Sequence, residues 1–230
     1  LLRDLNSIDT KLQILLTINV TEPLPFTADN FKFPIELIRN PEPKGFGANH
    51  NAAFRRMSGD YFCVVNPDIH LRQDPFPELT AAVDNIPAAV AAPVIRNPSG
   101  HRENNIRHFP TPTSILAKSL GIWPHIEYPM SKQPFTCDWV AGMFMLFRPE
   151  MFSAVSGFDE GYHLYYEDVD ICARLKVAGC RIVACPGVFA IHSARRESHQ
   201  NLRYMKWHLQ SMIRFFLSRS YRNALALKSI

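Results

Sequence analysis

The sequence predicts an α/β fold, in which a mostly parallel, Rossmann-like sheet is flanked by helices and followed by an amphipathic C-terminal helix. Residues 61–65 form a near-continuous apolar run, which is typical of a strand buried on both faces of a parallel sheet. Strand-like and helix-like patterns alternate after this run. With 230 residues, 47% of them hydrophobic and 20% charged, the chain can bury a substantial core.

The spacing of apolar residues assigns the individual elements. It predicts strands at residues 12–20, 35–38, 61–65, 88–95, 135–147 (broken at Gly142), 181–185 and 188–191. It predicts helices at residues 1–8, 75–85, 167–178 and 198–217, a helix that ends near residue 57, and a short helix opened by Pro149. Residues 97–135 are rich in proline and histidine and are expected to be irregular.

Charge and cysteine content narrow the class of protein. Residues 194–230 hold eight of the 25 basic side chains and one of the 21 acidic ones, so the net charge of +4 is concentrated at the C-terminus. These basic residues lie on one predicted helix without a base-stacking aromatic sheet, which argues against nucleic acid. No apolar window approaches the ~18 residues of a membrane helix. Five cysteines without CxxC spacing indicate a reduced, cytoplasmic protein.

Three acidic residues, Glu167, Asp168 and Asp170, open the helix predicted at residues 167–178. Carboxylates in this position often only stabilise the helix, by about 0.3–1 kcal/mol each. The aromatic segment at residues 162–166 favours chemistry instead, because it would shield the acids and raise the pKa of a buried one toward that of a useful general base. The cluster is therefore a candidate catalytic site.

Asn66 and Asp68 follow directly after the strand predicted at residues 61–65. A polar turn after a buried strand is common and would explain them without any function. Because sites in α/β folds lie at the C-terminal ends of strands, the pair can also hold Mg²⁺ or Mn²⁺ and so neutralise a pyrophosphate. His192, at the end of another predicted strand, is a candidate further ligand, although a single histidine there is more often structural.

The segment Gly45-Phe46-Gly47 matches neither a dinucleotide fingerprint nor a P-loop, and the chain has no glycine- and basic-rich triphosphate loop of a nucleotidyltransferase. It can be an ordinary loop. Asn49 and Asn51 follow it on one edge of a predicted helix, and their amides beside a permissive glycine backbone would suit a nucleotide base or ribose. The segment is therefore a candidate nucleotide-binding element.

The predicted C-terminal helix has apolar residues such as Leu202 and Leu209 at a spacing of three to four. The simplest interpretation is that this face docks on the core while the basic residues face solvent. The alternative is a helix lying on an anionic membrane surface, with Trp207, Phe215 and Phe216 near the interface.

In their order along the chain, these motifs resemble those of the family 2 glycosyltransferases, in particular the rhamnosyltransferase-like branch that builds bacterial surface polysaccharides. The resemblance covers most of the chain. It is carried by residues 39–40, 44–51, 66–68, 138–142, 157–160 and 166–170 and by His192. Each motif is weak by itself, whereas the ordered set is specific.

The resemblance implies a glycosyltransferase A type fold and an inverting, metal-dependent transfer of a sugar from a nucleotide-diphosphate sugar, with dTDP-rhamnose as the candidate donor. The acceptor would be a cell-surface polysaccharide or a lipid-linked glycan. We expect a catalytic domain at residues 1–193, with a donor half at about 1–96 and an acceptor half at about 97–193. The basic helix at 194–230 would pack on the domain or on the inner face of the plasma membrane, giving a cytoplasmic, peripheral protein.

The resemblance also assigns roles to residues. Asp168 would be the base that removes the proton of the acceptor hydroxyl, with Glu167 as the alternate base and Asp170 supporting the helix. Asp68 would bind Mg²⁺ or Mn²⁺ on the donor diphosphate, with His192 as the candidate further ligand. The residues expected to bind the donor are Asn19, Lys44, Gly45, Gly47, Asn49, Asn51, Asn66, Trp139 and Gly142.

Two departures from the family pattern bear on activity. Relatives begin with a central strand, whereas this chain opens at a helix, so the first strand is expected to be absent. Ile18-Asn19 keeps an asparagine but lacks the carboxylate that often recognises the base. These departures motivate an alternative from another class, a catalytically inactive, glycosyltransferase-like binding or scaffold protein.

Overall fold

A computed structural model of the chain describes residues 1–129, 131–193 and 202–227. The strands in these ranges are β1 (Ile14–Ile18), β2 (Ile35–Arg39), β3 (Phe62–Val65), β4 (Ile69–His70), β5 (Ala88–Arg96), β6 (Ile106–Arg107), β7 (Phe135–Cys137), β8 (Trp139–Val140), β9 (Phe144–Phe147) and β10 (Arg181–His192). The helices are α1 (Leu2–Leu5), α2 (Phe46–Phe54), α3 (Phe76–Asn85), α4 (Pro112–Ser119), α5 (Pro149–Ala154), α6 (Glu167–Val177), α7 (Leu202–Leu217) and α8 (Arg219–Ala226).

The central sheet is mixed, whereas the sequence predicts a mostly parallel one. Its strands lie in the order β3-β9-β5-β10-β4, with β7 paired to β10. β5 and β10 are parallel, but β9 lies antiparallel between β3 and β5, and β4 and β7 are antiparallel to β10. Apolar periodicity does not report strand direction, so this reversal is invisible in the sequence. The parallel pair β1-β2 and the antiparallel pair β6-β8 form separate small sheets.

The core lies on both faces of the central sheet. β5 is buried at every position from Ala88 to Ile95. Val90 and Val94 pack into the cluster that contains the apolar face of α6, whereas Ala91 and Ile95 pack into the cluster that contains α3. Alternate side chains of β5 therefore enter opposite cores. The run at residues 61–65, predicted to be buried on both faces of a parallel sheet, instead gives the edge strand β3, which is antiparallel to β9 and alternates between buried and half-buried positions.

Three predicted segments differ from the structure. The strands expected at residues 181–185 and 188–191 are one strand, β10, which accommodates Pro186-Gly187 in an irregularity between Cys185 and Phe189. The 97–135 segment, expected to be irregular, contains β6 and α4. The apolar run at 135–147 is divided into β7, β8 and β9.

The C-terminal part of the chain also differs from the prediction. A second helix, α8, follows α7. The expected start of the long helix, at residue 198, lies outside the described residues. α8 packs on α6, and the Ser218 hydroxyl caps it by accepting from Tyr221 N–H at 3.1 Å.

The face that α7 turns to the core overlaps the predicted one only at Met212 and Phe216, which pack against the core. Phe215 is fully buried, and the Ser211 hydroxyl donates to Leu164 O at 2.8 Å. Leu202 and Leu209, which were expected on the docking face, are exposed. Both faces of α7 carry apolar residues at helical spacing, so the period alone selects neither.

The aromatic residues that the membrane interpretation placed near the interface contact other aromatic rings of the protein. The Trp207 ring lies against the His163 ring, with centroids 4.4 Å apart, and Phe215 packs on Tyr166 at 5.6 Å. Phe216 is half-buried against Tyr221. These contacts hold α7 on the body of the protein; Phe215 is fully buried, whereas Trp207 and Phe216 are half-buried.

Within the described ranges, no helix combines the length and the apolar character needed to cross a bilayer. The five cysteines are free thiols, as expected from their number and spacing. Cys137, Cys172 and Cys185 are buried, and Cys63 and Cys180 are half-buried. They act as small apolar core residues.

Candidate active site

The N-terminus of α6 carries a carboxylate held by two backbone groups. Gly142 N–H donates to Asp168 Oδ2 at 2.9 Å, and Val169 N–H donates to Asp168 Oδ1 at 2.8 Å. Desolvation raises the pKa of Asp168, while these N–H groups and the charge of Arg107 act in the opposite direction. Asp168 remains partly exposed. It is therefore a positioned carboxylate that a ligand can reach and that takes up a proton more readily than an ordinary aspartate.

The neighbouring acid, Glu167, lies in a different environment. It is 5% exposed, and its Oε2 is buried without a hydrogen-bond partner among the described residues. Desolvation, together with the negative charge of Asp168, raises the pKa of Glu167 to about 8. Because the charge of Asp168 contributes to this shift, Asp168 ionises first and Glu167 keeps its proton at neutral pH. Of the two candidate bases, Asp168 is the accessible and more acidic one.

The buried Glu167 makes stability depend on pH. The unfolded chain loses this proton near the ordinary pKa of 4.5, whereas the folded chain keeps it to about 8. The contribution of Glu167 to stability is therefore complete below pH 4.5, declines as the pH rises from there, and is lost above pH 8. We expect Glu167→Gln to match wild type at pH 5 and to exceed its unfolding free energy by roughly 2–4 kcal/mol at pH 9. Denaturant titrations at both pH values measure this difference.

Glu42 provides the matched control for this experiment, because it is exposed. Glu42→Gln should leave the unfolding free energy within about 0.5 kcal/mol of wild type at either pH. An equal effect of Glu167→Gln at pH 5 and pH 9 would contradict a raised pKa for Glu167.

The chain enters α6 through two strained residues. Tyr165 and Tyr166 have φ of 71° and 67°, in the left-handed region that side chains other than glycine rarely adopt. Such conformations cost of order 1–3 kcal/mol each and persist only where the surroundings enforce them. Here the ring of His208 on α7 contacts both tyrosines, with centroids 5.2 and 5.5 Å away, and Phe215 packs on Tyr166. α7 therefore holds the turn that aims Asp168 at Gly142.

Gly142, expected to border the donor sugar and the acceptor, lies where three segments meet. A Cβ at this position would lie 3.2 Å from Phe46 Cζ and 3.5 Å from Asp168 Cβ. The first residue of α2 therefore lies close to the carboxylate of α6, with Gly142 between them. A side chain at residue 142 would crowd both neighbours.

Trp139, by contrast, does not offer an open ring face to a sugar. It is 6% exposed, and its Nε1–H donates to His108 O at 2.8 Å. The guanidinium of Arg107 lies over the ring, 5.2 Å from its centroid, which is within cation–π distance. Trp139 supports Arg107, whose charge acts on Asp168, and a role of Trp139 in donor binding stays a prediction.

Asp68 and His192, predicted as metal ligands from distant parts of the chain, are neighbours in the structure. His192 Nε2 lies 3.3 Å from Asp68 Oδ2, and Ser193 N–H donates to Asp68 O at 3.0 Å. The other ring nitrogen, Nδ1, lies 3.2 Å from Glu103 Oε2. Glu103 was not identified from the sequence, because it lies in the segment expected to be irregular.

The donor set at Asp68 suits a hard divalent cation. Asp68 Oδ1 is buried and has no hydrogen-bond partner among the described residues, which is costly for a carboxylate unless a cation or water meets it. No cluster of three or more acidic, histidine or cysteine side chains arranged to hold a metal is found in the described ranges. The protein would thus supply Asp68 and His192, and the remaining ligands would come from diphosphate oxygens and water.

The loop that carries Asp68 is joined to the loop that carries Gly142. Asn66 N–H donates to Met143 O at 3.0 Å, and the Asn66 side chain is half-buried. Asp68 is thus two residues from a backbone bond to Met143, and Asp168 is bonded to Gly142. The predicted metal ligand and the predicted base are therefore connected through one loop.

Asn19 and Asn49, expected to bind the donor, form an amide network with Asn40. The Asn40 amide donates to Asn19 Oδ1 at 2.9 Å and to Asn49 Oδ1 at 2.7 Å. Asn19 also bonds both the N–H and the C=O of Lys44, at 2.8 and 3.0 Å. These amides fix the backbone of Lys44, whose side chain is exposed. A role for the three residues in donor binding stays a prediction.

Gly45 and Gly47 allow α2 to lie against the 157–163 segment. A Cβ on Gly45 would come within 2.7 Å of His163 O, and one on Gly47 within 2.7 Å of Phe158 Cβ. The Phe46 N–H donates to His163 O at 3.0 Å. The two glycines therefore serve the close approach of two chain segments, and a role in donor binding stays a prediction.

Both the oxygen and the nitrogen of the Asn51 side-chain amide form hydrogen bonds within the protein. Asn51 accepts from Phe158 N–H at 2.9 Å, donates to Phe158 O at 2.9 Å and donates to Glu160 Oε1 at 3.0 Å, and it is 7% exposed. Asn51 therefore fastens the 158–160 segment to α2, and a role in donor binding stays a prediction.

Comparison with known proteins assigns the chain to a family. A model of glycosyl transferase family 2 matches residues 20–152, which is more than half of the chain. The chain is a family 2 glycosyltransferase. The matched range includes Asp68 and Gly142, whereas Asp168 and His192 lie beyond it.

Curated relatives place the glycosyltransferase within its family. It is 32% identical over 183 residues to "Rhamnosyltransferase WbbL" of Escherichia coli, covering 74% of this chain and 69% of the relative. It is 31% identical over 143 residues to "N-acetylglucosaminyl-diphospho-decaprenol L-rhamnosyltransferase" of Mycobacterium tuberculosis, covering 58% of this chain but 47% of that relative. Both names indicate the rhamnosyltransferase-like branch that the motifs predict.

Solved structures confirm the glycosyltransferase A type fold. Staphylococcus aureus TarS 1–349 in complex with UDP-GlcNAc superposes with a TM-score of 0.63 at 12% identity, covering 95% of this chain and 62% of that one. GalNAc-T7 with UDP, GalNAc and Mn²⁺ gives a TM-score of 0.63 at 14% identity, covering 87% of this chain and 41% of that one. At these identities the likeness concerns the fold.

The glycosyltransferase has site residues that the sequence did not reveal. Phe46, Glu103 and Arg107 lie against the predicted ones, at Gly142, His192 and Trp139 respectively. Glu103 and Arg107 lie in the 97–135 segment, whose sequence has no periodic apolar pattern from which a helix or strand could be predicted. A signal was present for Phe46 alone, because it stands between the two glycines of the 44–51 motif.

Proposed function

We propose that this glycosyltransferase moves a sugar, with inversion, from a nucleotide-diphosphate sugar to a hydroxyl of a cell-surface or lipid-linked glycan. The observation that carries the proposal is the Gly142–Met143 loop. It bonds to Asn66, two residues before Asp68, the predicted metal ligand, and to Asp168, the predicted base. A transferase of this kind needs a cation site for the leaving diphosphate and a base for the acceptor on one continuous surface. The donor half at 1–96 and the acceptor half at 97–193 belong to this proposal.

In the proposed reaction, Asp168 accepts the proton of the acceptor hydroxyl. The acceptor oxygen forms a bond to the anomeric carbon as the bond from that carbon to the diphosphate oxygen breaks, and the nucleoside diphosphate leaves with the electron pair. Attack from the side opposite the leaving group inverts the anomeric centre. Glu167, protonated beside it, keeps a second negative charge away from Asp168.

Asp68 and His192 would hold Mg²⁺ or Mn²⁺. When bound, the cation neutralises charge on the diphosphate and so makes it a better leaving group. The buried, unpartnered Asp68 Oδ1 is the feature of this chain that fits such an ion. Glu103 would orient His192 through its second ring nitrogen.

The choice of donor and acceptor rests on the relatives. Two are named as rhamnosyltransferases, and the name of one describes a diphospho-decaprenol acceptor. We therefore propose dTDP-rhamnose as the donor and a lipid-linked glycan as the acceptor, with the enzyme working at the cytoplasmic face of the plasma membrane. The amide network at Asn19 and Lys44 adjoins α2 and would border the nucleotide.

Calorimetry with Asp68→Ala tests the proposal. Wild type should bind dTDP-rhamnose in the presence of Mn²⁺, and the variant should bind it at least about 10–100-fold more weakly, because it lacks a carboxylate ligand. Asp60→Ala removes an exposed aspartate in a turn and should bind like wild type. Equal affinities of wild type and Asp68→Ala would contradict the metal assignment. Failure of wild type to bind any of a panel of nucleotide sugars with Mn²⁺ would contradict the proposed function.

A further inference from the structure

α7 has a second apolar face that the rest of the described chain leaves uncovered. Five large side chains at helical spacing form this outer stripe: Leu202, Met205, Leu209, Ile213 and Leu217. They are between 49% and 80% exposed. At 1.5 Å per residue, the helix of 16 residues presents the stripe over about 24 Å.

The outer stripe is distinct from the face that holds α7 on the protein. Trp207, Ser211 and Phe215 contact the 163–166 segment and lie on the opposite side of the helix at 100° per residue. The docking of α7 is therefore already provided by its inner face. Exposed large apolar residues in a continuous row indicate a surface that meets something other than water.

The charged side chains of α7 and α8 are all basic. α7 and α8 contain no Asp or Glu, and Lys206 projects among the stripe residues by helical geometry. Lys206, Arg219 and Arg222 are exposed. A row of apolar side chains with basic residues beside it is the pattern of a helix that lies in the interface of an anionic bilayer.

Other occupants fit the outer stripe less well. A second copy packed stripe to stripe would bring the Lys206 side chains of both copies together, with no acid on either helix to pair with them. The chain's own residues 194–201 and 228–230 contain one large apolar residue, Ile230, and so offer little to cover five.

We propose that the outer stripe of α7 inserts into the headgroup region of an anionic membrane, with Lys206 and the arginines of α8 on the lipid phosphates. This inference deepens the proposed function and rests on it for the lipid-linked acceptor. The inner face of the same helix packs on Tyr165 and Tyr166, directly before Asp168. Membrane docking through α7 thus places the base close to the surface from which such an acceptor projects.

Vesicle sedimentation tests the inference. Wild type should bind vesicles of equal parts phosphatidylglycerol and phosphatidylcholine more tightly than vesicles of phosphatidylcholine alone. Met205→Gln/Leu209→Gln should weaken binding to the anionic vesicles by roughly tenfold or more. Lys206→Gln should weaken it by about fivefold and leave the weak binding to neutral vesicles unchanged. Leu116→Gln/Leu120→Gln, on α4 and its C-cap residue, is the matched control, because it removes an equally spaced apolar pair of similar exposure, 61% and 64% against 56% and 53%.

Two further readouts separate this inference from the proposed function. Transfer to a water-soluble acceptor should be the same for wild type and Met205→Gln/Leu209→Gln, since neither residue touches the site. If wild type transferred no sugar to the soluble acceptor, the proposed function would be contradicted. The vesicle measurements would still decide whether the outer stripe binds a membrane. The membrane inference is overturned if the α7 and α4 pairs bind vesicles alike, if wild type binds no anionic vesicles, or if sedimentation velocity shows a dimer that the α7 pair abolishes.

Discussion

Asp168→Asn should lower the rate of sugar transfer by about 10²–10⁴-fold, the usual contribution of a positioned general base. The substitution keeps the size of the side chain, and its amide oxygen can still accept from Gly142 N–H, although the bond from Val169 N–H is lost; the fold around α6 should be retained. What is lost is the group that accepts the acceptor proton. Single-turnover transfer from dTDP-rhamnose at saturating acceptor measures this loss, and circular dichroism checks the fold.

The pH profile adds a second signature of Asp168. Desolvation raises its pKa, so the wild-type rate should fall as the pH drops through that raised value. The residual rate of Asp168→Asn should lack this acid limb. A simple loss of local structure would reduce the rate without removing the limb.

Glu167→Gln is the comparison that decides between the two acids. Glu167 already carries a proton at neutral pH, so an isosteric neutral side chain should reduce transfer by less than about tenfold. A larger loss in Glu167→Gln than in Asp168→Asn would transfer the role of base to Glu167 and contradict the assignment.

The catalytic and metal-binding candidates could be predicted from the sequence because each lies at the start or the end of a predicted helix or strand. Asp168 opens a helix, Asp68 follows a buried strand, and His192 ends another strand. The ends of elements in an α/β fold converge on one edge, which is why Asp68 and His192 meet although they are far apart in sequence. The family motifs then select among such positions.

The supporting contacts could not be predicted in the same way. Glu103 reaches His192 across 89 positions and lies in no periodic segment. An asparagine amide suits a nucleotide and a backbone clamp equally well, so the sequence could not tell that Asn51 serves Phe158. The two apolar faces of α7 have the same spacing, and contacts with the 163–166 segment and with Tyr221 of α8 decide which one is buried.

Asn51→Ala should be the most destabilising of the substitutions at the site. Asn51 satisfies both the N–H and the C=O of Phe158, which is itself 2% exposed. Alanine leaves both backbone groups buried without these partners, at about 1–3 kcal/mol each. We expect a loss of roughly 2–5 kcal/mol in unfolding free energy, or about 5–15 °C in Tm for a chain of this length. Equilibrium unfolding in urea and thermal melts measure it.

The effect should reach the catalytic centre, because the 157–163 segment that Asn51 fastens is also the surface against which Gly45 and Gly47 pack. Asn49→Ala, on the same helix, removes side-chain bonds within a half-buried amide network and should cost only about 1 kcal/mol. If Asn51→Ala were as stable as Asn49→Ala while donor affinity fell sharply, Asn51 would bind the nucleotide after all. If stability falls and transfer falls with it, the 44–51 motif acts by holding two segments together so that Phe46, Gly142 and Asp168 stay in contact.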